Sequence, residues 1–244
     1  MKIVITMAGM GARFKEIGIT KPKHEIIVKG KSLFEISMLS LSDFFSETFL
    51  FIVRRDCYNA DTILTLCKKI GIFNYEIIEI TDLTDGQART ALLADKYIDG
   101  EDSIIIYNID TAVEPFKLKK GELSNYDGFI PCFNAEGEQW SFVKPSDSER
   151  GVVAQVVEKK RISNLATIGF YYFKRFLDFK ETVEKYQIDI KANYIELYIA
   201  PVYQYLIDQN KKVGFSVIDS HFITNLGTPS EIEKHDKYYM QNNS

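Results

Sequence analysis

A glycine-rich segment near the start of the chain has the composition of a phosphate-binding turn. Its residues are Met7, Ala8, Gly9, Met10, Gly11 and Ala12. Glycines let backbone N–H groups approach a ligand that a Cβ atom would exclude. Arg13 follows at once, and Lys23 stands ten residues further on, behind Pro22. Because a guanidinium can hold two phosphate oxygens and an ammonium acts as a point charge, the segment favours a polyphosphate ligand.

Two better-known glycine-rich turns do not fit this segment. The third glycine of the dinucleotide-binding pattern G-x-G-x-x-G would fall on Phe14. The pattern G-x-x-x-x-G-K followed by Ser or Thr is also missing from the sequence. From local chemistry alone, a glycine turn with solvated surface cations remains the alternative.

The sequence gives little support for nucleophilic catalysis. His24, His221 and His235 stand apart, and neither serine nor cysteine occupies a triad-like turn. Surface or supporting roles are expected for these histidines, although His24 lies beside Lys23 and could touch a phosphate. The three cysteines lack ligand-like spacing and predict reduced thiols in a cytoplasmic protein.

The composition of the chain argues against two classes of partner, nucleic acid and the membrane. The formal net charge of −4 argues against non-specific binding of nucleic acid, which requires a basic face. The sequence has no run of the roughly 18 to 20 apolar residues that a membrane span needs. The apolar start is short and leads directly into the glycine-rich turn, so we expect a buried strand there and not a signal peptide. Small-molecule partners are therefore expected, and the oligomeric state stays open.

Short apolar runs predict the strands of a sheet that is buried on both faces. The predicted strands are residues 2–6, 48–53, 75–80, 103–109, 128–133, 152–157, 167–173 and 213–218. Segments with helical spacing alternate with several of these strands. The predicted helices are residues 33–45, 60–70, 87–97, 202–209 and 230–240.

This order of elements predicts an α/β fold of the Rossmann-like, doubly wound kind. We expect a mostly parallel mixed sheet with an antiparallel hairpin excursion. Ligands in such sheets bind outside the carboxyl ends of the strands. Since no linker-like stretch interrupts the chain, residues 1–244 are predicted to form a single domain.

The chain resembles the sugar-phosphate nucleotidylyltransferases, and the matching motifs occur along the chain in the same order as in that family. Residues 8–13 together with Lys21-Pro22-Lys23 are similar to the family's A-G-G-x-G-(S or T)-R followed by P-K. Further matching segments are Asp85-Gly86-Gln87, Asp110 at the end of an apolar strand, Glu158-Lys159, Ile168-Gly169-Phe170-Tyr171 and Ile223-Thr224-Asn225-Leu226-Gly227-Thr228-Pro229. The resemblance covers nearly the whole chain and implies the nucleotide-diphospho-sugar transferase type of fold.

The resemblance also implies a reaction and a set of roles. A nucleoside monophosphate would pass from a nucleoside triphosphate to a phosphorylated small-molecule acceptor, releasing pyrophosphate. Arg13, Lys23 and Asp110 would be catalytic, and Asp110 with Asn225 would bind Mg²⁺. The implied nucleotide-binding residues are Met7, Ala8, Gly9, Gly11, Ala12, Gly86 and Gln87. The implied acceptor-binding residues are Glu158, Lys159 and Gly169.

Three positions depart from the family pattern. Met10 replaces the second glycine of the turn, so one backbone approach to the nucleotide differs. Ile223 replaces the closing tryptophan. Asn225 replaces the second metal-binding aspartate, which removes a charge but keeps a carbonyl oxygen.

The nucleobase and the phosphorylated acceptor can be assigned from the resemblance only. The side-chain amide of Gln87 can both donate and accept a hydrogen bond, so it does not select one base. The compact chain and its F-I-x-N-x-G-T-P ending look most like the CTP:phosphoglutamine cytidylyltransferases of capsule phosphoramidate biosynthesis. CTP and L-glutamine phosphate are thus favoured. A sugar 1-phosphate with CTP, UTP, dTTP or GTP is the alternative. Trp140, and the segment containing Tyr194 and Tyr198, either border the acceptor pocket or only pack.

Two other classes of protein remain open. A glycosyltransferase on the same fold would require an Asp-x-Asp metal pair, whereas this chain has Asn108-Ile109-Asp110. A non-catalytic module that senses nucleotides or sugars is favoured by Asn225. The presence of Arg13, Lys23 and Asp110 opposes that second alternative.

Overall fold

The structure, a computed structural model, describes residues 1–241 and 243. Its strands are mostly short and apolar. In chain order they are β1 (Lys2–Thr6), β2 (Ile27–Val28), β3 (Lys31–Ser32), β4 (Thr48–Arg54), β5 (Tyr75–Ile80), β6 (Ile104–Asn108), β7 (Thr111–Val113), β8 (Gly128–Asn134), β9 (Ser141–Pro145), β10 (Val153–Glu158), β11 (Leu165–Thr167), β12 (Phe170–Phe173), β13 (Val213–Val217) and β14 (Ile223–Asn225).

The helices differ widely in length. They are α1 (Ala12–Lys15), α2 (Leu33–Leu39), α3 (Ala60–Ile70), α4 (Gln87–Leu92), α5 (Phe176–Asn193), α6 (Ala200–Asp208) and α7 (Pro229–His235). Side chains cap several of their first turns, as where Ser32 and Glu35 exchange hydrogen bonds at the start of α2. Within the described residues, we find no helix long and apolar enough to cross a membrane.

A mixed sheet of 10 strands runs through the described part of the chain. Its order is β10-β9-β11-β8-β12-β6-β1-β4-β5, and β13 pairs with β8. Strands β6, β1, β4 and β5 are parallel, whereas β8 to β12 pair antiparallel. The chain passes from the edge strand β5 to β6 on the far side of β1. This reversal opens a crevice outside the carboxyl ends of β1 and β6.

Helices cover both faces of the sheet, which confirms the predicted fold class. Alternate residues of β1 point to opposite faces, because successive side chains of a strand do so. Ile3 and Ile5 belong to a core with residues of α2 and α3, while Val4 belongs to a second core with residues of α4, α5 and α6. The two cores hold the sheet rigidly beneath the crevice.

The strand predicted over residues 167–173 is two strands. Gly169 separates β11 from β12 with φ of 80°, a left-handed conformation that favours glycine. The resulting break lets β11 pair with β8 and β9 while β12 pairs with β6 and β8. Gly169 interrupts the apolar run, but the run continues on both sides of it, so the sequence predicted one strand.

Two helices end earlier than predicted, and a third was not predicted. The prediction for residues 33–45 was too long, because the Ser42 hydroxyl donates to the Leu39 carbonyl at the end of α2. The prediction for 230–240 was too long as well, since the Asp236 carboxylate accepts from the backbone of Lys29 and Tyr238 and turns the chain away after α7. Helix α5 was not predicted at all. Its buried stripe includes the polar Thr182 and its surface exposes apolar side chains, which blurs the helical pattern.

Candidate functional site

The glycine-rich turn lies at the carboxyl end of β1, at the edge of the crevice. Met7 and Ala8 are buried, whereas Met10 is 51% exposed and points away from the core. Gly11 precedes α1 with φ of 63°. A Cβ atom at Gly11 would lie 3.7 Å from the Cβ of Lys23. The turn therefore lies directly against the second of the two predicted phosphate-binding cations.

Lys23 and Asp110 form an ion pair across the crevice. The Lys23 ammonium donates to Asp110 Oδ1 at 2.6 Å, and the two side chains are 15% and 53% exposed. Asp110 follows β6, and its backbone N–H donates to Asn108 Oδ1 at 3.2 Å. Two residues that are 87 positions apart in sequence are thus brought into contact. Each group serves as the counter-ion of the other.

Asn225 lies beside Asp110 but does not bond to it. Strand β14 pairs with β7 so that Asn225 is opposite Thr111, and Leu226 N–H donates to the Asp110 carbonyl at 2.7 Å. The side-chain oxygen Oδ1 of Asn225 is buried and has no hydrogen-bond partner among residues 1–241 and 243. A buried acceptor without a protein partner is costly, so a water, an ion or a ligand is expected to supply one.

The oxygens of Asp110 and Asn225 are of the type that Mg²⁺ binds. Mg²⁺ takes oxygen ligands and is usually held by one or two carboxylates together with substrate phosphates. Asp110 offers a carboxylate and Asn225 offers the unpartnered carbonyl oxygen. Within the described part of the chain, there is no group of three or more His, Cys, Asp or Glu side chains suited to a metal. The protein alone would supply an incomplete set of ligands.

Arg13 projects from α1 without a protein partner. Its side chain is exposed, and we find neither an ion pair nor a hydrogen bond from its guanidinium to any other described residue. A guanidinium next to the glycine-rich turn is therefore available to bind an anion.

The predicted base-contacting segment is held by the backbone of Leu197. Gly86 has φ of 145°, and a Cβ atom there would lie 2.6 Å from the Leu197 carbonyl oxygen. Leu197 N–H donates to the Asp85 carbonyl at 2.8 Å, and Ala88 N–H donates to the Leu197 carbonyl at 2.9 Å. The Gln87 amide donates to Thr6 Oγ1 at 2.9 Å. Gln87 is thereby placed at the carboxyl end of β1.

Glu158 and Lys159 lie at the end of β10, in contact with aromatic residues. Glu158 is 6% exposed and accepts a hydrogen bond from the Ser141 hydroxyl. Burial raises the pKa of Glu158, and the bond from Ser141 offsets part of the rise. Lys159 has φ of 50°, unusual for a residue with a side chain, and donates to the Tyr198 hydroxyl. Burial lowers the pKa of Lys159, but the Tyr198 hydroxyl and the charges of Glu158 and Glu196 together outweigh this and leave the pKa raised.

Gly169 acts on the site through Asn108. A Cβ atom at Gly169 would lie 2.7 Å from Asn108 Oδ1, the same oxygen that accepts from Asp110 N–H. The absence of a side chain at Gly169 is thus needed for the turn that presents Asp110. Asn108 was not predicted as a site residue, although its place two positions before Asp110 offered a signal.

A cavity of about 260 Å³ opens next to Asn225. Its walls are the loop between β8 and β9, the end of β14, and the last turns of α7. The lining residues are Phe133, Ala135, Glu136, Gln139, Trp140, Asn225, Glu231, Lys234 and His235. Apart from Trp140 and Asn225, none of these was predicted as a candidate, because the loop and α7 are about 100 residues apart in sequence.

The fold is shared with known proteins. The nucleoside-diphosphate-sugar pyrophosphorylase of Vibrio cholerae RC9 is 34% identical, and the match covers 96% of this chain and 99% of that chain at a TM-score of 0.86. The inositol-1-phosphate CTP transferase of T. maritima is 16% identical, with 98% and 93% coverage and a TM-score of 0.74. UDP-glucose pyrophosphorylase complexed with UDP-glucose is 16% identical, with 99% and 98% coverage and a TM-score of 0.72.

A more distant sequence relative is longer than this chain. A candidate mannose-1-phosphate guanyltransferase of Sulfolobus acidocaldarius is 25% identical over 179 residues, which is 71% of this chain and 48% of that protein. The match therefore spans about half the length of this curated relative. A scan against protein-family models gives no match.

The doubly wound mixed sheet, with its crevice at the ends of β1 and β6, defines an α/β protein of the nucleotide-diphospho-sugar transferase type. Identity of 34% over almost the whole of the Vibrio protein goes further than the fold. The chain belongs to the nucleoside-diphosphate-sugar pyrophosphorylase family.

Proposed function

We propose that the protein is a nucleotidyltransferase. It joins a nucleoside monophosphate, taken from a nucleoside triphosphate, to a phosphorylated small molecule and releases pyrophosphate. The observation that supports this most directly is the contact of Lys23 with Asp110 beside the glycine-rich turn, with Arg13 unpaired nearby. Two cations and one carboxylate at one end of a parallel sheet suit the handling of phosphates. Residues 1–244 form, in this proposal, one catalytic domain.

The reaction needs charge neutralisation more than proton transfer. An oxygen of the acceptor phosphate attacks the α-phosphorus of the nucleotide, and a new P–O–P bridge forms. The bond from the α-phosphorus to the oxygen of the β-phosphate breaks, and pyrophosphate leaves. A phosphate monoester has a second pKa of about 6, so its oxygen is already largely ionised at neutral pH. A general base is therefore unnecessary.

Each residue of the site has its own role in binding and neutralising the phosphates. Arg13 stabilises the departing pyrophosphate, since its guanidinium is free and lies beside the turn that holds the phosphates. Lys23 lies between the α-phosphate and the acceptor phosphate, whose charges otherwise repel each other. Glu158 and Lys159 bind the acceptor from the other side of the crevice. Gly86, Gln87 and the turn of residues 7–12 bind the base and ribose.

Asp110 and Asn225 hold Mg²⁺ in this proposal. When bound, the ion supplies a Lewis acid for the phosphoryl oxygens. For that role, Asp110 must give up its ion pair with Lys23 and bind the metal instead. The Lys23 ammonium then becomes available to the phosphates. Asn225 contributes a carbonyl oxygen that has no partner in the protein.

For the nucleotide and acceptor we propose CTP and L-glutamine phosphate. The support is the resemblance of residues 222–229 to cytidylyltransferases of this kind, and a CTP transferase is among the proteins of the same fold. The competing proposal is a sugar 1-phosphate with CTP, UTP, dTTP or GTP. It is favoured by the Vibrio relative, whose name is that of a nucleoside-diphosphate-sugar pyrophosphorylase.

Release of pyrophosphate tests the proposal. The purified chain is supplied with Mg²⁺, each of CTP, UTP, dTTP and GTP in turn, and either L-glutamine phosphate or glucose 1-phosphate. We expect release with CTP and L-glutamine phosphate. Release only with a hexose 1-phosphate would replace the acceptor and retain the reaction. No release from any pair would instead favour a nucleotide-sensing module.

A further inference from the structure

Two serines interrupt the buried face of α2. Ser37 and Ser40 are three positions apart, so they lie on the same side of the helix and its last turn, and both are buried. Their apolar neighbours Phe34, Met38 and Leu41 belong to the core on one face of the sheet. A buried hydroxyl costs free energy unless it finds a hydrogen-bond partner. The partners of the two hydroxyls identify the segment that this face of α2 supports.

Both hydroxyls bond to the backbone of the turn between β6 and β7. The Ser37 hydroxyl donates to the Ile109 carbonyl at 3.1 Å. Ser40 Oγ accepts from Val113 N–H at 2.8 Å. These two backbone groups lie on either side of Asp110, the residue that the proposed function assigns to the metal. The end of α2 therefore holds the turn both before and after Asp110.

A third buried hydroxyl reaches the same turn from β6. Tyr107 is buried, and its hydroxyl donates to the Thr111 carbonyl at 2.5 Å. Burial raises the pKa of Tyr107, so the hydroxyl stays protonated at neutral pH and can donate. The Tyr107 ring packs edge to face on Phe170, with 6.3 Å between the ring centroids, which limits its movement. The carbonyl of the residue that follows Asp110 is thereby fixed as well.

The backbone of Asp110 itself is held on both sides. Its N–H donates to Asn108 Oδ1 at 3.2 Å, and its carbonyl accepts from Leu226 N–H at 2.7 Å. The Asp110 carboxylate, by contrast, is 53% exposed and faces Lys23. An exposed carboxylate on a fixed backbone loses little conformational freedom when it binds a ligand. The turn thus presents the carboxylate in a nearly final position.

Satisfying buried backbone groups is also a general requirement of folding. Tyr203, for example, is buried in the core on the opposite face of the sheet, and its hydroxyl donates to the Tyr172 carbonyl at 2.7 Å. Tyr107 and Tyr203 therefore have the same burial and the same kind of partner, but only Tyr107 bonds to the Asp110 turn. A comparison of the two tyrosines can separate support of Asp110 from support of the fold.

We propose that Ser37, Ser40 and Tyr107 are positioning residues, which set the Asp110 carboxylate for Mg²⁺ before the nucleotide and its metal bind. The inference rests on the proposed function, because it takes over the metal role of Asp110. The three hydroxyls act through the backbone of the turn, whereas the Asp110 side chain meets the ligand. A displacement of about 1 Å in a reacting geometry can slow a reaction on the order of a hundredfold, so small shifts of this turn matter.

Tyr107→Phe removes one hydroxyl and keeps the ring, and Tyr203→Phe is its matched control. Each variant leaves a buried carbonyl without its donor, so both should lower Tm by similar amounts. Tyr107→Phe should in addition lower kcat by roughly fivefold to thirtyfold, measured by pyrophosphate release. It should also weaken Mn²⁺ binding about tenfold, the scale for a residue that supports a metal ligand, in titration calorimetry with a non-hydrolysable CTP analogue. KM for the acceptor should stay within about twofold of the parent value, because the acceptor meets other residues.

Ser40→Ala is a second variant of the same turn and serves if the tyrosine variant folds poorly. It should lower kcat and Mn²⁺ affinity in the same way as Tyr107→Phe. Its control is Ser42→Ala, since the Ser42 hydroxyl donates to the Leu39 carbonyl at the end of the same helix. Both serine variants remove one hydroxyl close to the end of α2, but only Ser40 bonds to the Asp110 turn.

Amide hydrogen exchange reports on the turn without turnover. Leu226 N–H bonds to the Asp110 carbonyl, and none of the substitutions removes either atom. Its exchange should be faster in Tyr107→Phe and Ser40→Ala than in the parent protein. In the two control variants it should keep the parent's rate.

A double variant tests whether Tyr107 acts through Asp110. In the Asp110→Asn background, Tyr107→Phe should have little further effect on kcat, because two residues that act through one group are not additive. A further fall in kcat as large as that in the parent would place the effect of Tyr107 elsewhere and overturn the positioning role.

The failures of the two proposals are distinct. Equal kcat and equal Mn²⁺ affinity for Tyr107→Phe and Tyr203→Phe would overturn the positioning role and leave the transferase reaction standing. Unchanged exchange of Leu226 N–H in both Tyr107→Phe and Ser40→Ala would do the same. Absence of pyrophosphate release by the parent with every nucleotide and acceptor would instead remove the proposed function, and with it the metal role of Asp110 on which the inference rests.

Discussion

At the scale of single residues, the candidate site holds one ion pair and two groups without a described protein partner. Lys23 and Asp110 are paired at 2.6 Å, while Arg13 is unpaired and Asn225 keeps an unpartnered oxygen. In the proposed function, binding of a nucleotide with its metal would exchange the internal pair for contacts of Lys23 with phosphate and of Asp110 with the metal. The geometry therefore predicts that each of these residues affects a different measurable step.

Asp110→Asn should lower kcat by on the order of a hundredfold or more, the scale for loss of one charged group in a phosphoryl-transfer site. The amide keeps the shape but removes the negative charge that would hold Mg²⁺. Asp147→Asn, in the exposed turn between β9 and β10, is the matched control and should be unaffected. Normal turnover of Asp110→Asn in Mg²⁺, measured by pyrophosphate release, would refute the metal assignment.

Lys23→Ala should reduce kcat by about a hundredfold and also raise KM for the acceptor, because the ammonium is assigned to both phosphates. Lys21→Ala is the control, since Lys21 is exposed and lies in the same segment on the other side of Pro22. Steady-state kinetics with varied acceptor separate the two effects. A change in kcat with no change in the acceptor KM would restrict Lys23 to the nucleotide.

Asn225→Asp should raise the affinity for Mg²⁺ or Mn²⁺ when nucleotide is absent. The parent supplies one carboxylate and one neutral oxygen, so we expect it to bind free metal weakly and to take it with the nucleotide phosphates. Turnover need not increase, because an added negative charge also repels an anionic acceptor. Calorimetric titration of metal, with and without a non-hydrolysable CTP analogue, measures both affinities. Tight binding of free metal by the parent, or no gain in the variant, would place Asn225 outside the metal site.

At the scale of elements, the crevice is shaped by close backbone contacts. The segment before α6 presses its Leu197 backbone onto Gly86 and exchanges hydrogen bonds with Asp85 and Ala88. This contact joins the segment between α5 and α6 to the start of α4. It also fixes the neighbours of Lys159, because Tyr198 follows Leu197 and accepts from that lysine.

Gly86→Ala should lower both stability and nucleotide affinity. The added Cβ would lie 2.6 Å from the Leu197 carbonyl oxygen, and the φ of 145° is strained for any other residue. Such strain costs on the order of 1–3 kcal/mol, so we expect a fall in Tm of several degrees together with weaker binding of CTP. Gly121→Ala is the control, since a Cβ there has open space. Equal Tm and equal CTP affinity for Gly86→Ala and Gly121→Ala would show that the Leu197 backbone moves to accommodate the added Cβ at no measurable cost.

The elements themselves were predictable where the pattern was local. Strands β1 and β5 and helix α3 begin and end at the predicted residues. The strands are short apolar runs, and Asn59 and Gly71 mark the two ends of the helix. Helix α5 was missed, and the break at Gly169 was not seen, because tertiary pairing decides them and not local propensity. A strand that changes partner at one residue leaves no trace in an alternation of apolar residues.

At the scale of the whole molecule, the two parts of the sheet contribute different halves of the site. The parallel strands β1 and β6 present the glycine-rich turn and Asp110, and the antiparallel strands present Glu158, Lys159 and the cavity. The motifs of the first part are contiguous and could be found in the sequence. The partners in the second part could not, because Ser141 meets Glu158, and the β8–β9 loop and α7 come to line one cavity, only through register and packing.

Acid stability of the whole chain should depend on His24. This histidine is 3% exposed, its Nε2 has no hydrogen-bond partner among the described residues, and burial lowers its pKa from 6.5 to about 4. Glu25 lies 3.7 Å away, but a neutral imidazole makes no ion pair with it. As the pH falls, His24 takes up its proton in the unfolded chain before it does so in the folded chain. The free energy of unfolding therefore has its full value above pH 6.5 and decreases as the pH drops towards 4. The loss approaches about 3 kcal/mol, at 1.36 kcal/mol per pH unit.

His24→Leu removes that titration and should flatten the dependence. An apolar side chain also avoids burying an unpartnered nitrogen, so the variant should be at least as stable as the parent at pH 5. Urea unfolding from pH 7 to pH 4.5 measures the difference, and His221→Leu, at an exposed site, controls for loss of any histidine. Should the leucine variant fold poorly, NMR titration of His24 in the parent measures the pKa directly. Parallel stability curves for the two proteins, or a His24 pKa near 6.5, would mean that His24 does not set the acid limit of the fold.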